Sequence, residues 1–279
     1  MARVAVLGTG LLGSGFVEGM LGRGASDVAV WNRTRSKADP LETLGARVFD
    51  RAADAIVGVD LVHLALLDDD TVDGVIAEIR GSLAAGAVIV DHSTTRPDRT
   101  AARAAALDAA GIDYLHAPVM MGPGAARGAT GTMLVAGPTE RVARVREALS
   151  AMTGELWHVG ERPDLAAVYK LFGNAAILSI VGVLADIMHM ADAAGVERSS
   201  AIEMLSKVNL NGSIGLRGRM MVEGNFEPQF TLDVARKDLR LMLETATGHG
   251  TPMLRALALY MDERIGMGDG PQDVAVLGR

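Results

Sequence analysis

Residues 4 to 16, VAVLGTGLLGSGF, carry an apolar run straight into Gly8, Gly10 and Gly13 and then into a helical pattern. No other stretch limits the possible folds as much. Val4 to Leu7 are β-prone, and Leu11, Leu12, Phe16, Val17, Met20 and Leu21 recur at helical spacing. Gly8 permits a tight turn, Gly10 lets backbone approach a pyrophosphate, and Gly13 lets the helix close on the strand. The helix start then offers free N–H groups and a positive dipole end to phosphates. A GxGxxG alone is weak, but strand, turn and helix in this order predict a dinucleotide-binding turn spanning Gly8, Thr9, Gly10, Leu11, Leu12 and Gly13.

A second strand, Asp27 to Trp31, ends in Asn32, Arg33, Thr34 and Arg35, where this kind of fold places its ribose-reading residue. No acid stands there to accept a 2′-hydroxyl. Arg33 and Arg35 with Thr34 suit a 2′-phosphate through charge-assisted hydrogen bonds, so NADP(H) is expected over NAD(H). A solvated basic turn is the alternative.

Further strand-like runs, Leu61 to Leu67, Ala87 to Val90, Tyr114 to Val119 and Thr132 to Ala136, alternate with helical segments such as Thr71 to Leu83 and Arg96 to Ala110. That alternation predicts an α/β fold, a Rossmann-type doubly wound sheet. Gly122 to Gly131 is expected as a loop, with Pro123 excluding a regular strand. After Pro163 the chain reads as helices: Asp164 to Ala194, Ser199 to Lys207, Thr231 to Thr247 and Met253 to Ile265. Residues 1–162 are therefore expected as the dinucleotide-binding domain and 163–279 as an all-helical substrate and oligomerisation domain. Leu171 to Met190, interrupted by Asn174, Ser179 and Asp186, is expected as a buried helix joining the domains and not as a membrane span. Such an apolar helix is hard to cover within one small helical domain, which predicts a homo-oligomer, a dimer or tetramer.

Composition narrows the classes. A net charge of −7 without a basic block argues against a nucleic-acid partner. The absence of cysteine removes disulfide and thiolate chemistry. With no leader pattern at the start, a cytoplasmic location is the expectation. Histidines 63, 92, 116, 158, 189 and 249 show no metal-ligand spacing.

Lys170 and Asn174 lie four residues apart, on one helical face, as a polar break among apolar residues. A partly desolvated lysine there has a lowered pKa and suits proton transfer. From spacing alone, a snorkelling lysine beside a core asparagine accounts for the pair better. Ser93 and Thr94 follow the strand ending near Val90, at the ligand-binding end of a parallel sheet, where Leu67 also falls; a helix-capping role is the alternative for the hydroxyls. Lys237, followed by Asp238, passes by itself as a solvated charged pair.

Taken together, LGTGLLGSG, WNRT, DHSTTRP, HAPVMMGPGAARGATGTMLVAG, YKLFGN and FTLDVARKDLRL resemble the β-hydroxyacid dehydrogenase family over nearly the whole chain. That family includes 3-hydroxyisobutyrate dehydrogenases and glyoxylate reductases and is related to imine reductases. The resemblance implies that Lys170 is the catalytic acid and base, that Asn174 assists it, and that Lys237 borders cofactor and substrate. It reverses the reading of Lys170 drawn from spacing. Two departures stand out. Where the family reads D-A-P-V-S-G-G and binds a substrate carboxylate, this chain has His116, Ala117, Pro118, Val119, Met120, Met121 and Gly122. Two thioethers make a more apolar, adaptable wall for the substrate at Met120, Met121 and Gly122. GERPDLAAVYK also stands where a run of glycines is expected before the catalytic helix. His116 is expected as a packed strand histidine, with a substrate contact as the alternative.

The resulting expectation is an NADPH-dependent oxidoreductase moving hydride between nicotinamide and a small carbonyl or hydroxy compound. Its alternatives are an imine reductase with an apolar pocket, or a non-catalytic NADP-binding scaffold.

Overall fold

The computed structural model describes residues 3–279. Its strands are β1 (Val4–Leu7), β2 (Val28–Trp31), β3 (Arg47–Phe49), β4 (Leu61–Leu64), β5 (Val88–Asp91), β6 (Asp113–His116), β7 (Val119–Met120), β8 (Thr132–Ala136) and β9 (Glu155–Gly160). Around them run α1 (Leu11–Gly22), α2 (Asp39–Glu42), α3 (Ala52–Ala55), α4 (Asp69–Ile79), α5 (Pro97–Ala109), α6 (Pro123–Arg127) and α7 (Thr139–Ser150). Then follow α8 (Leu165–Ala193), α9 (Arg198–Leu205), α10 (Leu210–Glu223), α11 (Leu232–Thr245) and α12 (Pro252–Gly266). Two compact units are resolved, one ending at Ala175 and one beginning at Ala176.

In the first unit the sheet order is β3-β2-β1-β4-β5-β6-β8-β7, with β9 paired to β8. Strands β1 to β6 run parallel, whereas β8 is antiparallel to β6 and β7. The chain leaves β1 toward β2 and returns on its other side at β4. That reversal opens a crevice at the carboxyl ends of β1 and β4. Side chains alternate along β1 as strand geometry requires. Val6 enters a core with Phe16, Val17 and Met20 of α1 and Val142 and Leu149 of α7. Ala5 and Leu7 enter another with Val72, Ile76 and Ile79 of α4 and Leu107 of α5. This is a three-layer doubly wound domain.

Several elements depart from expectation. The run Leu61 to Leu67 is strand only to Leu64, and Ala65, Leu66 and Leu67 turn outward at the crevice. Tyr114 to Val119 breaks into β6 and β7 at Ala117 and Pro118, because proline brings no N–H to a ladder. The loop Gly122 to Gly131 contains α6, since Pro123 sits at a first helical position, where its fixed φ favours a helix start. Strands β3 and β9 were not expected. The former has three residues, too few to show an alternating pattern.

The second unit packs Phe226, Leu232, Leu239, Leu254, Met261 and Val276 into its own core. Helix α10, absent from the expectations, begins at Asn209, whose side chain accepts from Gly212 N–H, and ends at Gly224 in the left-handed region.

The expected burial of α8 is not found within one chain. Phe172, Leu178 and Val181 are 66%, 69% and 57% exposed. An apolar sequence does not distinguish a helix covered by its own chain from one whose surface stays open. By length and composition α8 also suffices to cross a membrane. Its buried Asp186, however, accepts a hydrogen bond from Leu254 N–H at 2.8 Å, which ties it to α12.

Candidate active site

The glycine turn forms because side chains would not fit. Gly8 has φ +101°, and a Cβ on it would lie 2.3 Å from Ala65 O. A Cβ on Gly13 would lie 1.9 Å from Gly8 O. Gly10 is different, with no atom within 4 Å of its missing Cβ. The first two glycines let α1 close on β1, and the third leaves open space. As N-cap, Gly10 provides no side-chain acceptor, so the amides of the first turn are available to an anion.

Gly8, Gly10, Leu11, Leu12 and Gly13 border a cleft of about 640 Å³ together with Asn32, Arg33 and Thr34 from the end of β2. Leu67 lies on its rim, 80% exposed, and Ser93 and Thr94 approach from the end of β5. The residues present fit a dinucleotide: open backbone amides for phosphates, apolar leucines for flat rings, and a cation beyond β2.

Two predicted cofactor residues of the first unit are placed away from the cleft. Thr9 is buried beside an adjoining depression, its N–H donates to Asn32 Oδ1 at 3.0 Å, and its buried hydroxyl is without a partner. Arg35 does not border the cleft, because Asp39, at 3.1 Å, and Asp50 hold its guanidinium. Lys237 stands on α11 of the second unit, half exposed and paired with the neighbouring Asp238.

Other residues join the cleft without having been singled out. Lys37 is a cation on its wall, legible only as a continuation of the basic turn. Asn32 staples the site, since its Nδ2 also donates to Thr34 O at 2.9 Å. His92 borders the cleft from below and meets His63 at 2.9 Å and Ala117 O at 2.7 Å. Burial pushes the His92 imidazole down to about 4, so it is neutral near pH 7. Its Nδ1–H then donates to the carbonyl, and its Nε2 accepts from His63. His116 is fully buried and donates from Nε2 to Ser93 O at 3.0 Å, the packed histidine that was expected.

The walls are linked. Leu66 N–H donates to Ser93 Oγ at 3.0 Å, and Arg96 N–H donates to Asp69 at 3.0 Å. Arg103, nearly inaccessible, binds Asp69 at 2.9 Å and Asp73 at 2.6 Å. Burial alone would pull its guanidinium down, but Asp73, Tyr114 and Asp69 outweigh that and raise it.

Lys170 lies on α8, half-buried. Its Nζ donates to Val119 O at 2.8 Å and stands 3.7 Å from Met120 Sδ. Desolvation lowers its pKa below 10.5. Asn174 follows one turn later on the same face. Met121 is partly buried against the sheet core, and Gly122 caps α6. The substrate-side segment thus presents Met120 to the lysine and turns Met121 inward.

This geometry defines an NAD(P)-binding oxidoreductase. Residues 3–160 match the model of the NAD binding domain of 6-phosphogluconate dehydrogenase, and residues 165–273 match that of the NADP-dependent 3-hydroxyisobutyrate dehydrogenase. The chain belongs to the β-hydroxyacid dehydrogenase family. An uncharacterised oxidoreductase, YfjR of Bacillus subtilis, is 28% identical over 99% of this chain and 98% of its own. A reductive aminase from Aspergillus terreus, solved with NADPH4, cyclohexanone and allyl amine, superposes with TM-score 0.91 at 22% identity. An imine reductase from Myxococcus stipitatus, solved with NADP+, gives 0.89 at 22%. Each structural match covers 99% of this chain and 98% of the other, and at this identity the likeness is one of fold.

The glycines make separable predictions. Gly10→Val should leave the thermal midpoint nearly unchanged but weaken NADPH binding by at least roughly tenfold in a fluorescence titration, since its side chain enters only the cleft. Gly13→Val should lower the midpoint itself, because its methyls meet Gly8.

Proposed function

We propose that this chain is an NADPH-dependent oxidoreductase acting on a small carbonyl or hydroxy compound, with Lys170 as acid and base. The placement of Lys170 carries this reading: a half-buried ammonium with one backbone acceptor and donors left over. The glycine turn with Asn32, Arg33 and Thr34 would hold NADPH in the cleft, where it would supply the hydride for the reacting carbon. Lys170 protonates the substrate oxygen in reduction and accepts its proton in oxidation. Its lowered pKa brings proton release closer to neutrality. Asn174 orients the oxygen, and Ser93, Thr94 and Met120 line the site. Val119 O holds the ammonium in place, so little conformational entropy remains to be lost on substrate binding.

Lys170→Ala should lower kcat for carbonyl reduction by roughly 100-fold or more. In the wild type, the reduction rate should fall as pH rises through the Lys170 pKa, below 10.5, because the acid form is consumed. That limb should be missing in the variant. A pH profile on a panel of aldehydes, ketones, oxo acids and cyclic imines tests both. The apolar Met120 favours imine reduction as a second reading. Imine turnover indifferent to Lys170→Ala would install it, and tight NADPH binding without any turnover would leave the scaffold reading.

For the cofactor we propose that Arg33, with Thr34 and Asn32, receives the 2′-phosphate; Arg35 supports the turn from behind through Asp39 and Asp50. Arg33→Asp should weaken NADPH by roughly 10- to 100-fold and NADH by less than about threefold. Equal weakening of both would remove this assignment.

The exposed apolar residues of α8 support a homo-oligomer, a dimer or tetramer. Light scattering should give a mass of two or four chains, and Leu178→Lys with Val181→Lys should shift it toward one. A monomeric wild type would refute this.

A further inference from the structure

The side chain of Met120 ends on α8 at Gly173. A Cβ added to Gly173 would lie 2.3 Å from Met120 Cε and 3.1 Å from its Sδ. A side chain there would make the flexible end of the thioether shift, so this mid-helix glycine is a notch that the methionine fills. The same sulfur stands 3.7 Å from Lys170 Nζ. On α8, Tyr169 and Gly173 share one face and Lys170 and Asn174 the next. Met120 reaches both faces and covers the lysine on the side of its own segment.

The chemical consequence follows from what the segment offers. Val119, Met120 and Met121 carry no side-chain hydrogen-bond donor, and Val119 O already accepts from Lys170. A carboxylate seated beside this wall would give up water for a thioether and methyl groups, which do not replace its hydrogen bonds. An apolar substituent meets a polarizable, adaptable surface there.

We propose that Met120, seated in the Gly173 notch, sets the substrate class of this site: neutral compounds with apolar substituents on the reacting carbon are turned over, and oxo acids are rejected. Gly173 is a positioning residue that acts through Met120. The proposal rests on the reading of Lys170 as the group that serves the reacting carbon.

The test compares kcat/KM with NADPH for cyclohexanone and butanal against 2-oxobutanoate and 3-oxobutanoate, in wild type, Met120→Ser, Met120→Ala, Gly173→Ala and the double alanine variant. Wild type should prefer the neutral compounds by at least about tenfold, and Met120→Ser should shrink that preference by about tenfold, equivalent to about 1.4 kcal/mol. Gly173→Ala should lower neutral-substrate kcat/KM by displacing the thioether, and in the Met120→Ala background it should have little further effect, because the contact it disturbs is with that thioether. A wild type that reduces both classes equally, a preference untouched by Met120→Ser, or additive alanine effects would overturn the proposal while leaving Lys170 in its role. Turnover of neither class would overturn the Lys170 reading, and this proposal with it.

Discussion

The close approach of α1 to the end of β1 is the contact on which the rest of the site depends. Gly13 lies so near Gly8 O that no Cβ fits between them, and Gly8 itself lies against Ala65 at the end of β4. One packing constraint thereby brings together a helix N-terminus and two neighbouring strand ends. The cleft is what remains in front of them, and its backbone amides are open because the N-cap, Gly10, has no side chain with which to cap the helix. Binding chemistry here comes from packing geometry and only secondarily from side chains.

Around that contact, polar links hold the walls in register. Leu66 is tied to Ser93, Arg96 to Asp69, and the buried Arg103 to Asp69 and Asp73. A buried ion cluster of this kind contributes little net stability against an apolar core of equal volume, but removing one member is costly because its partners stay buried and charged. The neutral His63 and His92 pair extends the network to Ala117, two residues before the carbonyl that holds Lys170. Cofactor cleft and lysine are thus joined through the short chain segment from Ala117 to Val119.

Much of this was legible beforehand. The strands β1, β2, β4, β5 and β8 are runs of β-branched and apolar residues between turns, and buried parallel strands cannot be otherwise. The glycine turn, Arg33, Thr34 and Ser93 border the cleft at the strand ends where the alternation places them, whereas Lys170 was singled out by the resemblance and not by its spacing. Residues whose role depends on a distant partner were not legible. Arg35 and Arg33 look equivalent in sequence, yet Asp50, brought alongside by β3, takes one of them away from the cleft. Lys37 and His92 reach the cleft by a short helical turn and by a strand end; the first is legible only as a continuation of the basic turn, and the second carries no local signal. The short β3 and the small α6 lack the length that periodicity needs.

By itself the sequence determined the doubly wound class, the place of the phosphate-binding turn and the helices α8, α9, α11 and α12, because these follow from local periodicity and from glycines that only one kind of turn requires. Tertiary structure decided which arginine faces the cleft, that the apolar α8 remains open along much of its length, and that Met120 lies on Gly173 beside Lys170. Residues 120 and 173 are far apart in the chain, and the missing methyl that lets one fit the other has meaning only once β7 and α8 are packed together.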